Sequence, residues 1–307
     1  MTKALNILRL HSIPRPLREG LGAGLRGIGA GLLFLLSLSA KSQEVCLPAD
    51  SARVVEILEQ APADAGVTYF ARQFIGVPYV GHTLEKSLDD EPLVINLREL
   101  DCTTYVETVA ALWQANRDKR HATYDSYKRW LARYRYWNGW RDDYLSRHHY
   151  FSWWWHDNVR QGILSEVDFS ASGAELTPMV VKLNYMSLHP ELYQQLNAHR
   201  EWLPRLQKME QEYSGHDGLF LSKQELLRKG SKAFRGIIKD GDVIAIVTTK
   251  GGLDYSHLGF ASWQGDGRLH LLNASSIHHK VVDEPKTLYK YLSEHKTSVG
   301  IRVFRLK

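Results

Sequence analysis

Asp101-Cys102-Thr103-Thr104-Tyr105-Val106-Glu107-Thr108-Val109-Ala110-Ala111-Leu112-Trp113-Gln114-Ala115 sets a capping residue and a thiol in front of an apolar stripe. Asp101 can accept from the unpaired N–H groups of a first turn, and Tyr105, Val106, Val109, Leu112 and Trp113 recur at spacings of three and four. The pattern predicts a helix from Cys102 to about Ala115, with one buried face and the thiol in its first turn. A thiol there meets unpaired N–H groups and the positive end of the helix dipole, which lower its pKa below the free value of about 8.5. Cys102 is therefore a candidate nucleophile, against the plain alternative of a small buried apolar side chain.

Upstream, Asp50 begins a helix with Val54, Val55 and Leu58 on one face, and residues 68–75 read as a short helix ended by Gly76-Val77-Pro78. Downstream, from 124 to 230, the signals are mostly helical: Tyr124, Tyr127, Trp130, Leu131 and Tyr134 form a stripe, and Ser222 with Glu225 makes a capping box whose helix stops at Gly230. After Asp240-Gly241 the pattern turns to strands over 243–248, 257–263, 268–273 and 298–305. Gly265-Asp266-Gly267 is a hairpin turn between two of them, and Pro285 starts a short helix before the last. Helices first and an antiparallel sheet last give the α+β class. With no polar linker to divide it, 41–307 reads as one domain carrying a large helical insertion over about 117–238.

The composition fits an ordinary globular chain: of 307 residues, 44% are hydrophobic and 24% charged. The net charge of +5 is concentrated in 1–40, where Lys3, Arg9, Arg15, Arg18 and Arg26 face only Glu19; that segment holds +4 and leaves +1 for the rest. A body so nearly neutral lacks the excess cations that phosphate neutralisation needs, which excludes nucleic acid as partner. The basic segment precedes an uncharged apolar run over 27–40, the order of an export signal. That run is shorter than the roughly 20 residues of a membrane span, so removal near Ser39 to Gln43 and a periplasmic or secreted chain are expected rather than stable membrane insertion. Cys46 lacks the small apolar residues of a lipidation site in front of it, and neither its leader context nor that of Cys102 suggests a disulfide between them. A monomer is expected.

Fourteen histidines compete to be the partner base of Cys102. His257, in Tyr255-Ser256-His257-Leu258-Gly259-Phe260, starts a strand that can present its imidazole across a groove to a helix tip. The next strand ends in Leu271-Leu272-Asn273, and antiparallel neighbours can bring the Asn273 amide oxygen beside the His257 ring. The ten aromatics between Tyr134 and Trp155 offer sugar-packing faces or a helical core. A metal centre is the competing site: His149, His156 and Asp157 can share one helical face, although no His-Glu-x-x-His pattern supports it. No cofactor-binding loop is present; the glycines of 22–27 lie inside the export segment.

Gly76-Val77-Pro78-Tyr79, Leu100-Asp101-Cys102-Thr103-Thr104-Tyr105-Val106-Glu107, Gly241-Asp242-Val243-Ile244, Ser256-His257-Leu258-Gly259-Phe260 and Asn273-Ala274-Ser275-Ser276 together resemble, in order, the NlpC-type cell-wall cysteine peptidases. The resemblance runs over about 68–305, is strongest to the N-acetylmuramoyl-L-alanine amidase-like branch, and includes Arg147-His148-His149-Tyr150-Phe151-Ser152. It implies a papain-like core with the Cys on a helix N-terminus against an antiparallel sheet. It also implies thiol-dependent cleavage of the muramic acid to L-alanine amide in peptidoglycan fragments, without metal or cofactor. The catalytic set would be Cys102, His257 and Asn273, with substrate contacts from Tyr79, Asp101, Arg147, Tyr150 and Ser256 and the oxyanion met by the Cys102 N–H and the Tyr79 hydroxyl. Two features depart from the family. His257 follows Cys102 by 155 residues, which calls for the insertion, and Asn273 stands where the branch often has a His. A D-glutamyl-diamino acid endopeptidase and a silent wall-binding module are the alternatives.

Overall fold

The computed structural model describes residues 44–118 and 122–307, so the expected export segment lies outside the described residues. A short strand β1 (Glu44–Cys46) runs parallel to β2 (Leu93–Ile95). Helix α1 (Pro48–Gln60) starts on a proline that needs no N–H partner, slightly earlier than Asp50. Asp50 faces inward instead, accepting from Leu97 N at 3.0 Å and pairing with Arg98 at 3.2 Å. Helices α2 (Val67–Arg72), α3 (Cys102–Arg117), α4 (Tyr124–Arg135) and α5 (Phe151–Arg160) follow.

The remaining strands are β3 (Leu164–Glu166), β4 (Leu176–Val181), β5 (Gly215–Ser222), β6 (Val243–Thr248), β7 (Tyr255–Trp263), β8 (Leu269–Ser275), β9 (Lys280–Thr287) and β10 (Ser298–Leu306). They form one sheet of eight strands in the order β4-β5-β10-β6-β7-β8-β9, with β3 also on β10. Every pairing in it is antiparallel.

Alternation along the central strands divides the core. Val243, Ala245 and Val247 of β6 face a large cluster built with α1 to α5, while Ile244 and Ile246 face a smaller one closed by Leu226, Phe234, Leu288 and Leu292. The mixed helix-and-sheet architecture is that of an α+β chain. Two expectations need correction. The segment 117–238 is not purely helical, because it supplies β3, β4 and β5 to the sheet; Pro178 obscures β4, and an edge strand tolerates a proline because one side of its ladder is open. Pro285 does not start a helix: it lies in β9, the other edge, and the helix Leu288–Glu294 begins after Thr287, whose hydroxyl accepts from Lys290 N at 3.3 Å.

Candidate active site

Helix α3 runs through the larger core, with Tyr105, Val106, Val109, Ala110 and Leu112 each no more than 1% exposed. Its start is fixed by a reciprocal cap: Thr104 N donates to Asp101 Oδ1 at 2.7 Å, and Asp101 N donates to Thr104 Oγ1 at 2.9 Å. Cys102 follows as the first helical residue, partly exposed and free of any disulfide, as is Cys46. Its sulfur meets the backbone of Leu258 on β7.

The residue before Leu258 is His257, and its ring is held. Asn273 Nδ2 donates to Leu271 O at 3.2 Å, which fixes the amide and turns Oδ1 toward His257 Nε2, 2.8 Å away. Since Oδ1 can only accept, Nε2 carries the proton and Nδ1 is the basic nitrogen. The sheet makes this reach possible. Phe260 pairs with Leu272, so continuing the register sets Gly259 opposite Asn273 and His257 diagonal to it. A Cβ on Gly259 would lie 2.9 Å from Asn273 Cβ and 2.9 Å from Leu272 O. A bulge between β6 and β7 falls at Ser256 and re-aims the strand just before His257.

The charge state at the site corrects the sequence reading. The Cys102 thiol is not depressed but pushed up to about 12, first by burial and then by the Asp101 carboxylate, while Leu258 and Thr103 oppose the shift. Burial, with the carboxylate of the cap adding to it, thus outweighs the dipole effect expected at the helix start. Burial also lowers the basicity of His257; the Asn273 bond opposes this and His295 adds to it. Both shifts favour the uncharged forms, thiol for Cys102 and imidazole for His257.

A cavity of about 270 Å³ reaches the start of α3 at Asp101, though not Cys102 itself, and is lined by Tyr79, Asp101, Glu85, Tyr144, Arg147 and Tyr193 among others. Tyr79 N donates to His279 O at 3.0 Å, and the Tyr79 phenol is raised by burial and by the charges of Cys102, Asp101 and Tyr291. Arg147 reaches the cavity with its charge already committed: it is 5% exposed and pairs with Glu85 at 2.9 Å and Glu91 at 3.6 Å. Tyr150 does not reach it and is corrected to a core residue. It is 3% exposed, its hydroxyl donating to Glu210 Oε1 at 2.6 Å and accepting from Met186 N at 2.9 Å. Ser256 is exposed and donates to Ile246 O at 3.5 Å.

Trp153 and Trp154 are core rings, whereas Trp140 is 75% exposed. The residues of the alternative metal site part company: His149 bonds Tyr144 O at 2.7 Å, His156 bonds Asp217 at 2.7 Å, and Asp157 accepts from Asn138 N at 2.8 Å. Among the described residues no group of three His, Cys, Asp or Glu gathers to hold an ion, and no helix is long and apolar enough to cross a membrane. Sequence reasoning missed Tyr291, whose ring lies against His257, and His295, whose ring lies against Tyr291; residues 285–295 carry no motif, and only the fold folds them back.

Residues 69–301 match a family described as AmiA-like, N-acetylmuramoyl-L-alanine amidase-like. No curated protein matches. Among solved structures, an N-acetylmuramoyl-L-alanine amidase of Bacteroides uniformis is 37% identical over 78% of this chain and 97% of its own, with a TM-score of 0.71. A Bacteroides fragilis protein provisionally described as a xylanase is 38% identical over 77% of this chain and 99% of its own, at 0.70. A Legionella pneumophila protein, 24% identical over 84% of this chain and 94% of its own, shares the fold at 0.66.

Proposed function

Because the chain belongs to the N-acetylmuramoyl-L-alanine amidase-like family, we propose that it is a thiol hydrolase cutting the amide between muramic acid and L-alanine in peptidoglycan fragments. The observation that carries the reading is the 2.8 Å bond from His257 Nε2 to Asn273, on strands against which the helix tip bearing Cys102 is packed. That bond leaves Nδ1 as the base. As the sulfur attacks the lactyl carbonyl, Nδ1 takes the thiol proton, so a neutral pair becomes imidazolium and a tetrahedral oxyanion together. The Cys102 N–H and the Tyr79 hydroxyl would stabilise that oxyanion. The imidazolium then gives its proton to the departing L-alanine amine, leaving a thioester. Water, deprotonated by His257, attacks the thioester; the carboxylate leaves and the thiol is restored.

The arrangement supports a papain-like reading of the NlpC kind, in which a helix-tip thiol faces a strand-borne imidazole steadied by an amide. Read with the basic apolar segment of 1–40, the chain acts in the periplasm or outside the cell, as a monomer. Glycoside cleavage, the xylanase description of one relative, needs two carboxylates across the scissile bond. The two that line the cavity are occupied, Asp101 by Thr104 and Glu85 by Arg147.

Mass spectrometry of a defined muramyl-tripeptide incubated with the chain tests the proposal. Free muramic acid and intact peptide, absent with Cys102→Ala, are expected. Cleavage between D-glutamate and the diamino acid would assign the endopeptidase activity instead, and no cleavage with retained binding would assign a silent module.

A further inference from the structure

We infer that Tyr291 is a positioning residue for His257, holding the plane of its imidazole as Asn273 holds its edge. The inference rests on the thiol and imidazole roles proposed above. A hydrogen bond fixes one atom: with Nε2 tied to Asn273, the ring can still swing about that contact and carry Nδ1 away from the sulfur. Fixing the plane takes a second contact, on the face. Tyr291 provides one from outside the two catalytic strands, on the helix Leu288–Glu294.

Its ring centroid lies 6.3 Å from that of His257 with the planes 26° apart, a stacked arrangement within the range at which aromatic pairs attract. Tyr291 is itself held. It is 7% exposed, the neighbouring Leu288 and Leu292 are buried in the smaller core, and the His295 ring lies 4.6 Å from its own. His295 is tied in turn by Nδ1, 2.7 Å from Tyr291 O. Burial and the charges of Glu284 and Cys102 raise the Tyr291 phenol to about 12, which agrees with a place beside the thiol and keeps its hydroxyl protonated. The helix Leu288–Glu294 is thereby part of the active site, although nothing in its sequence marks it.

Alkylation of Cys102 by iodoacetamide at neutral pH tests this without any substrate, followed on the Cys102 peptide by mass spectrometry so that Cys46 does not contribute. His257→Ala first calibrates the imidazole contribution; an unchanged rate there would overturn the thiol–imidazole pair itself and not the role of Tyr291 specifically. Given a slowed His257→Ala, Tyr291→Leu with a wild-type melt is expected to lose about ten- to a hundredfold in rate, since a misplacement of about 1 Å costs up to about a hundredfold. In turnover the loss should fall on kcat with KM kept. Tyr291→Phe retains the ring and should react and turn over at the wild-type rate. A folded Tyr291→Leu variant at full rate overturns the proposal. So does a tenfold loss in Tyr291→Phe, which would make the hydroxyl and not the ring the active part; should Tyr291→Leu fail to fold, Tyr291→Met takes its place, and a full rate in that folded variant overturns the proposal.

Discussion

Gly259 and Asn273 face each other across β7 and β8 with no room for a methyl group between them, a Cβ on the glycine falling 2.9 Å from the Asn273 Cβ. The glycine is the gap through which the amide reaches diagonally to His257. Its φ is unremarkable, so space and not backbone freedom selects it. Gly259→Ala should therefore displace Asn273 while leaving thiol and base in place. We expect a cost of about 1–3 kcal/mol in stability from overpacking, with kcat falling by more than the melt alone would explain. Wild-type kcat with a lowered melt would make Gly259 a packing residue only.

Cys102→Ala should abolish hydrolysis and leave the fold intact, since the alanine keeps the helix start and its cap. Residual turnover near the wild-type rate in a chain that still has Cys46 would refute the thiol mechanism. EDTA should leave activity unchanged; inhibition restored by zinc would point to a metal.

Asn273→Ala removes one hydrogen bond from the ring without touching nucleophile or base. The loss should fall well short of that in Cys102→Ala or His257→Ala, and Asn273→His should recover part of it, since a histidine nitrogen can again accept from Nε2–H. Equal kcat/KM for Asn273→Ala and wild type at every pH would show that the amide does not orient the ring.

The pH profile separates a neutral pair from a preformed ion pair. Burial lowers the His257 pKa below its ordinary 6.5, so the base stays unprotonated into mildly acidic solution. The acid limb of kcat/KM should then lie below 6.5. With the thiol raised to about 12, alkylation of Cys102 in His257→Ala should keep climbing beyond pH 9, past the titration of a free thiol near 8.5. A low-pH plateau of thiolate reactivity in the wild type would instead reveal an ion pair.

Arg147 offers a test of cavity against core. Its removal would leave the inward-facing Glu85 and Glu91 without their cation, and breaking such a pair costs about 3–5 kcal/mol. Arg147→Ala should lower the melt markedly with or without substrate fragments. An unchanged melt with a raised KM would mean that the guanidinium serves the ligand.

The helix of Cys102, the strand of His257 and the meeting of His257 with Asn273 were all legible, because each depends on local periodicity or on the pairing of two strands joined by a short turn. The rest depends on partners far apart in sequence. Tyr150 looks like a ligand until Glu210, sixty positions on, takes its hydroxyl. The helix dipole argues for a thiolate until burial and the Asp101 charge are weighed together. Strands β4 and β9 each hide a proline that only an edge position excuses. Tyr291 is visible only once its helix is folded against the sheet.

In chain order β10 follows every other strand, yet in space it lies between β5 and β6 and also carries β3. Until it arrives, the N-terminal and C-terminal parts of the sheet have no common seam, and no contact local in sequence can substitute for it. Assembly must wait for these late, non-local pairings, which are slow to form. Under the export proposed above, that delay is useful: a polypeptide that crosses N-terminus first stays threadable while its closing strand is still on the far side. A chain stopped before Ser298 should consequently be digested by added protease as readily as the urea-unfolded protein, and resistance in such a chain would show that the sheet closes without its last strand.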